Sequence, residues 1–348
     1  MRLPALIVAV TLATGCYLTH GRSDAAPARD ASPDRVLPDA APDSGRDTTP
    51  DTTPPPPPPP RIVFDREIDP IFLAVDDASF YWVNRDRAVM TAPKVGGEVR
   101  TLQGPLMVAW NLEIFLDGDF VYLYADDEIL QLPKDGSLPN RIETRLPGPH
   151  GTLAFDEDLI YFAEAGCEML GFVRRDGSFL ASVDVPEASF GGGQTSLAVG
   201  GARLYCSNGP RIYSMSRDLR GTPFVFVDGE NNLSTLKVDA ERLYWLDNSL
   251  TPGRSRNVSM ANLEDGIVID LVEDTGISGW LDLDPARREL FWVDGSRATR
   301  PDRAIHRFGV DAREHDLLAE RRVAQGGIAY DEEYVYWTEL GSIERVAR

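Results

Sequence analysis

The sequence predicts one all-β domain, a single β-propeller of four-stranded antiparallel blades, and three observations carry that expectation. One aromatic-rich word recurs seven times, the copies are spaced at the length of a propeller blade, and turn residues punctuate each copy. The fullest copy is Asp331-Glu332-Glu333-Tyr334-Val335-Tyr336-Trp337-Thr338-Glu339. Aligned on the first aromatic of its pair, the copies stand at Tyr81, Tyr122, Tyr161, Tyr205, Tyr244, Phe291 and Tyr336, spaced 39 to 47 residues apart. A repeat in the low forties, rich in aromatics and turn residues, is what a four-stranded blade produces. Seven copies predict seven blades; six or eight are the alternatives if one degenerate copy is misread.

Each copy reads as strands. Phe80-Tyr81-Trp82-Val83, Leu243-Tyr244-Trp245-Leu246 and Val335-Tyr336-Trp337-Thr338 are built from β-branched and aromatic residues, which favour a pleated, half-buried surface. A short apolar run precedes each turn, as in Leu153-Ala154-Phe155 or Ile328-Ala329-Tyr330. A second hairpin follows the aromatic pair, for example Glu128-Ile129-Leu130-Gln131-Leu132, and closes at Asp135-Gly136 or Asp176-Gly177. There glycine supplies the positive φ that a tight hairpin needs. A fourth run such as Phe179-Leu180-Ala181-Ser182-Val183 completes the unit. These strands are named A to D below. One such sheet is too small to bury its own faces.

The chain begins with Arg2 and the apolar run from Leu3 to Leu12, then Ala13-Thr14-Gly15-Cys16. Residues 1–15 read as a secretory signal, because a membrane span needs about 20 apolar residues. Small residues directly before a cysteine resemble the lipobox of bacterial lipoproteins, with Ala13 where that family prefers leucine. The resemblance implies that Cys16 is lipidated, cleaved on its amino side and left as the first mature residue. A plain signal peptide with an incidental cysteine is the alternative. Tyr17 follows, not the aspartate associated with inner-membrane retention, so the expected location is the outer membrane. Residues 16–60 form a tether holding 12 of the chain's 26 prolines and ending in the run Pro54 to Pro60. Such a composition cannot bury enough apolar surface to offset its ordering entropy, and the proline run should be a stiff polyproline II rod.

Residues 61–348 are globular in composition and hold the whole propeller. The chain's net charge of −20 includes +1 from the signal and −3 from the tether, leaving −18 on the domain. So negative a surface argues against nucleic acid or anionic lipid headgroups as partners. The last copy ends in a C strand, Gly341 to Val346, with no D strand after it, while Arg61-Ile62-Val63-Phe64-Asp65 is a strand without a blade. Pairing Ile62–Phe64 beside Ile343–Val346 would complete the last blade and remove its open edge.

Tyr336-Trp337-Thr338-Glu339 resembles the repeat of YWTD propellers, known from lipoprotein-receptor ectodomains, with glutamate in place of aspartate. Tyr244-Trp245-Leu246-Asp247 and Phe291-Trp292-Val293-Asp294 keep the aromatics and the acid, and Tyr81-Trp82-Val83-Asn84 has the amide. Tyr122, Tyr161 and Tyr205 head weaker copies, with Leu123, Phe162 and Cys206 in the tryptophan's place. The resemblance extends to the broader TolB-like propellers and covers residues 61–348. It implies the fold and is nearly silent on function, since propellers host binding, scaffolding and catalysis alike. YWTD propellers usually have six blades, whereas this chain carries seven copies.

Chemistry is harder to read. Two cysteines, Cys167 and Cys206, remain in the domain of an exported chain; a disulfide and two buried thiols are both open. The chain has no Gly-x-Ser-x-Gly, His-Glu-x-x-His or Cys-x-x-Cys. The histidines, His20, His150, His306 and His315, have no metal-ligand spacing, and the Asp-rich turns lack the EF-hand pattern, so no metal and no cofactor are expected. Propeller geometry puts the D–A and B–C connections on one face, around the channel mouth. The D–A connections bring His150, Thr152, Gln194, Ser196, Asn232, Thr235, Ser278, Trp280 and Gln325 there. Two enlarged B–C loops, Ser249 to Asn257 and Gly295 to Arg303, add Arg254, Arg256, Arg297, Arg300 and Arg303. Polar groups around one tryptophan suit a sugar, peptide or organic ligand; polar groups that only satisfy backbone and water are the plainer alternative. Three readings follow. The first is a membrane-anchored extracytoplasmic propeller acting as a binding or scaffold module for an unknown protein, peptide or sugar. The second is a propeller hydrolase, lactonase or lyase with its site at the channel mouth. The third is a structural component of an envelope complex.

Overall fold

The computed structural model describes residues 61–65, 69–106, 114–125, 128–143, 152–178, 180–185, 195–229, 232–248, 257–273, 277–294, 303–322 and 327–348. All lie within the compact unit Pro55–Arg348. The signal, Cys16 and the tether fall outside the described residues.

Strand β1 is Arg61–Asp65. Blade 1 comprises β2 (Pro70–Val75), β3 (Ser79–Asn84), β4 (Val89–Pro93) and β5 (Arg100–Gln103). Blade 2 is β6 (Phe115–Asp117), β7 (Phe120–Ala125), β8 (Glu128–Pro133) and β9 (Asn140–Glu143). Blade 3 is β10 (Thr152–Phe155), β11 (Leu159–Ala163), β12 (Met169–Arg174) and β13 (Leu180–Asp184). Blade 4 is β14 (Ser196–Gly200), β15 (Arg203–Asn208), β16 (Arg211–Ser216) and β17 (Phe224–Asp228). Blade 5 is β18 (Asn232–Val238), β19 (Arg242–Asn248), β20 (Asn257–Asn262) and β21 (Val268–Val272). Blade 6 is β22 (Ile277–Asp284), β23 (Glu289–Asp294), β24 (Arg303–Gly309) and β25 (Glu314–Arg322). Blade 7 is β26 (Ile328–Tyr330), β27 (Tyr334–Glu339), β28 (Ser342–Ala347) and, as its outermost strand, β1.

The seven four-stranded antiparallel sheets are the expected blades, and the ring closes as the two chain ends suggested. Strand β1 pairs with β28 through Arg61↔Arg345, Ile62↔Glu344 and Phe64↔Ile343. Phe64 then packs edge-on against Phe80 of blade 1, 5.7 Å between centroids.

The core consists of seven apolar clusters, one at each junction between adjacent blades. Strand alternation assigns the aromatic pair to them. The first aromatic of each copy faces the following blade, as Tyr81 faces blade 2 and Tyr244 faces blade 6. The second faces the preceding blade, as Trp82 faces blade 7 and Trp245 faces blade 4. Trp82, Trp245, Trp292 and Trp337 are fully buried; truncating such a residue to alanine costs about 3–5 kcal/mol. Cys206 stands in the tryptophan's place in blade 4 and so faces blade 3. There it forms a disulfide with Cys167, Cα to Cα 6.1 Å, which resolves the cysteine question: a covalent link replaces aromatic packing at that junction.

The aspartate that opens the repeat has a structural task. Asp76, Asp156, Asp239 and Asp331 each accept the backbone N–H groups two and three residues on, at 2.8–3.0 Å. The other carboxylate oxygen accepts the phenol five residues on, from Tyr161 at 2.7 Å, Tyr244 at 2.8 Å and Tyr336 at 2.7 Å. Tyr81 stands against Asp76 in the same way, and burial followed by the Asp76 charge pushes its phenol up to about 12. In five blades the residue after the C strand then reaches back to the preceding blade. Lys134 meets Asp76 at 2.8 Å, Arg217 meets Asp156 at 3.5 Å and Arg348 meets Asp284 at 2.7 Å. Lys94 pairs likewise with Asp331, and Arg175 with Asp117. Val310 holds that position in blade 6, and Arg288 of the A–B turn substitutes, 3.8 Å from Asp239 and 2.8 Å from Glu241. At the junction of blades 4 and 5 neither half of the latch exists, because Gly200 replaces the aspartate and Leu263 replaces the cation.

Burial alone would raise the carboxyls of Asp76, Asp284 and Asp331. Hydrogen bonds from Lys134, Arg348 and Lys94, together with those from the turn's backbone N–H groups, outweigh it and hold them below the usual aspartate value. A depressed carboxyl contributes stability that is complete above the unfolded pKa and is lost as pH falls through the folded one. Stability should therefore decline as pH falls below about 5, through the depressed folded values. Asp331→Asn should lower stability at neutral pH by about 1–3 kcal/mol and flatten that acid decline. Melting curves across the range check both; an unchanged acid slope in the variant would count against the latch. Closure makes a second prediction. Deleting residues 17–60 should leave the melting temperature nearly unchanged, whereas deleting 17–66 should expose the edge of β28, cost several kcal/mol and promote aggregation. Equal melting temperatures for the two truncations would contradict it.

Candidate functional site

The A strands line the central channel, where a cavity of about 410 Å³ is walled by residues of β2, β6, β18, β22 and β26. That volume suits a small ligand. Three of these inner strands are irregular: β2 shifts register between Pro70 and Phe72, and β18 and β22 carry bulges that bring aromatic and charged groups to the wall. In β18 the pairing steps from Ser234↔Leu246 to Lys237↔Tyr244, which inserts one extra residue, and Thr235 takes φ 54°. Positive φ in a β-branched residue is a strained conformation. Ser196 of blade 4 supports the bulge by accepting the Leu236 N–H at 2.9 Å. In β22 the pairing steps from Ile277↔Asp294 to Leu281↔Trp292, which inserts two extra residues. Bulges re-aim side chains, and here Trp280 turns onto the channel wall with its ring edge-on to Phe72, 5.2 Å between centroids.

Beside the aromatic pair, Lys237 Nζ lies 3.7 Å from Asp282 Oδ1, both about a quarter exposed. Tyr330 closes the wall and donates its hydroxyl to the Leu283 carbonyl at 2.7 Å. Burial, then the Asp282 and Asp284 charges, push its phenol well above the usual tyrosine range. Blades 7 and 1 approach closely here: a Cβ on Gly327 would lie 2.5 Å from the Leu73 nitrogen, so only glycine fits. The arrangement offers one ion pair, a strained threonine and an aromatic corner to whatever enters.

The structure corrects part of the sequence reading. Asn232, Thr235, Ser278 and Trp280 lie within strands β18 and β22, not in connecting loops, and Thr152 and Ser196 open β10 and β14. The bulges extend these inner strands past the point where periodicity suggested they begin. Thr235 and Trp280 meet at the cavity. Trp280 is partly buried against Phe72, not freely exposed. Thr152 and Ser196 are buried, and Asn232 is half-buried at the start of its strand. Arg303 begins β24, and its side chain and that of Ser278 lie outside the described set, as do His150, Gln194, Gln325, Arg254, Arg256, Arg297 and Arg300. Lys237 and Asp282 were overlooked, although each is a lone charge between apolar residues of an inner strand, Leu236-Lys237-Val238 and Leu281-Asp282-Leu283. Two histidines far from metal-ligand spacing in sequence meet in space: the hairpin of β24 and β25 brings His306 Nδ1 and His315 Nε2 to 3.0 Å, both rings stacked on Trp292. Among the described residues no group of three or more His, Cys, Asp or Glu is placed to hold a metal ion.

Scans against family models and curated proteins return no match. Solved structures do match. Virginiamycin B lyase from Staphylococcus aureus superposes with TM-scores of 0.56 and 0.59 in two structures, at 14% and 13% identity, covering 83% of this chain and 98% of that one. A chain of the mitotic checkpoint complex gives a TM-score of 0.59 at 11% identity, covering 92% and 99%. U3-55K gives 0.59 at 10% identity, covering 83% and 98%. The likeness is one of fold. At these identities the neighbours say how the chain is built and leave its chemistry to its own residues.

Proposed function

We propose that this protein is an exported, lipid-anchored binding module whose propeller takes a ligand in its central channel. The observation that carries the reading is the pair of bulged inner strands, which deliver Trp280, Thr235 and the Lys237–Asp282 pair to one cavity of about 410 Å³. Bulges re-aim side chains and strained residues gather where ligands are handled, and these two inner-strand bulges turn Trp280, Thr235 and the ion pair onto the cavity wall. A flat apolar group would lie against Trp280 and Phe72, and a polar group would exchange with the Lys237–Asp282 pair. A sugar, a peptide end or an aromatic organic molecule has both. His150, Gln194 and Gln325 would extend the site toward the mouth, and Arg254, Arg256, Arg297 and Arg303 would give the mouth positive charge in an acidic domain. The tether would hold the domain away from the outer membrane, with Cys16 as the lipid site.

Screening the protein against glycan and peptide arrays tests the binding reading. Trp280→Ala should weaken any ligand found by at least about tenfold, and Lys237→Met should reduce the preference for polar or anionic members. Binding that survives both substitutions would place the site elsewhere. Anchoring is tested separately: Cys16→Ser should move the protein from the membrane fraction to the soluble extracytoplasmic fraction. A native protein found soluble, without lipid on its N-terminal peptide, would overturn this part.

A further inference from the structure

The missing latch between blades 4 and 5 coincides with a second cavity, of about 690 Å³, on the rim opposite the channel mouth. It is lined by Gly200, Arg203 and Tyr205 of blade 4 and by Arg242, Leu263 and Glu264 of blade 5, among others. In blades 3, 5 and 7 the equivalent tyrosine donates its hydroxyl to an aspartate of its own turn. Tyr205 has Gly200 in that place, and its phenol meets the neutral Ser214 hydroxyl instead of a carboxylate. Two residues earlier on the same strand, Arg203 donates Nε–H to the neutral Ser214 Oγ at 2.7 Å and lies over Phe224, 4.6 Å from its centroid. Among the described residues no carboxylate pairs with Arg203. A phenol and a guanidinium thus stand together at a cavity, in the one blade whose turn has lost its anion.

The chain cannot supply that anion itself. A Cβ on Gly200 would lie 2.6 Å from Val238 Cγ2, so the neighbouring strand occupies the space from which an aspartate would reach. The remaining charges define what could enter. Arg242 is engaged by Asp311 at 3.2 Å, and Glu241 by Arg288 at 2.8 Å. Asp265 caps the Ile267 N–H at 3.0 Å. Tyr205 is buried and Arg203 half-buried, whereas Glu241, Glu264 and Asp265 are exposed at the rim. The cavity is positive inside and negative at its edge.

We propose that this cavity binds a small zwitterion of the amino-acid type, its carboxylate on Arg203 and Tyr205 and its ammonium toward Glu264 and Asp265. Charge-assisted hydrogen bonds from a guanidinium and a phenol are the strong kind, and the volume matches a small molecule. A polyanion meets an acidic rim on a chain of net charge −20 and is rejected.

Calorimetric titration of the full chain with the common α-amino acids, acetate and citrate at millimolar concentration tests this. At least one amino acid should bind, more tightly than acetate, and citrate should not. Tyr205→Phe and Arg203→Gln should each weaken binding roughly tenfold. Tyr161→Phe, at a turn that keeps its own Asp156, should leave it unchanged. The double change Gly200→Asp with Val238→Ala restores a carboxylate in the chain and should abolish binding. Tyr205→Phe retains the ring and its packing, so it remains informative if Arg203→Gln folds poorly. The proposal is overturned if no amino acid binds, if citrate binds as well, or if affinity is the same in Tyr205→Phe as in the native protein.

Discussion

The carboxylate of the A–B turn ties three levels of this molecule together. One oxygen of Asp331 or Asp76 closes the turn on backbone N–H groups, the other faces the tyrosine of the next strand, and a lysine or arginine of the following blade pairs with it. Lys94 and Lys134 also sit over the rings of Tyr336 and Tyr81, 5.7 and 5.4 Å from the centroids. Burial of the aromatic clusters supplies most of the stabilisation, because each ring removes a large apolar area from water. The latch decides register. Shifting a B strand by one residue would exchange the two aromatics between junctions and pull the phenol away from its carboxylate. Hydrophobic area alone does not penalise such a slip as sharply, since both aromatics would still find a neighbouring blade.

This constraint makes the departures from the repeat informative. Each falls at a particular junction, and all but one have a particular substitute among the described residues. Phe291 cannot bond to Asp284, and Arg348 joins the two instead, bonding the carboxylate at 2.7 Å while lying 5.0 Å from the Phe291 centroid. Cys206 cannot fill the space of a tryptophan, and a disulfide spans the junction. Val310 has no charge, and Arg288 reaches Asp239 from another turn. Between blades 4 and 5 no substitute appears, and a cavity opens there. On the inner strands the bulges of β18 and β22 bring aromatic and charged groups into a channel whose other inner strands supply mostly apolar side chains.

Much of this was legible in the chain. The spacing of Tyr81 through Tyr336 implied seven blades, and the stranded end Arg61–Asp65 implied how the ring closes, because local turn chemistry and strand alternation are written in adjacent residues. Even the latch could be read in part, since Asp76, Asp156, Asp239 and Asp331 each stand five residues before their tyrosine. Three things only the tertiary structure decided. Cys167 and Cys206 come within bonding reach because strand alternation points Cys206 at the preceding blade and a loop turns Cys167 to meet it. His306 and His315 meet because a hairpin register, not their spacing, sets their separation. Trp280, Thr235, Lys237 and Asp282 converge because two inner strands bulge beside one cavity. A repeat records what neighbouring residues do to one another; a site is made by residues far apart in the chain, and their meeting depends on small irregularities of backbone that no local pattern encodes.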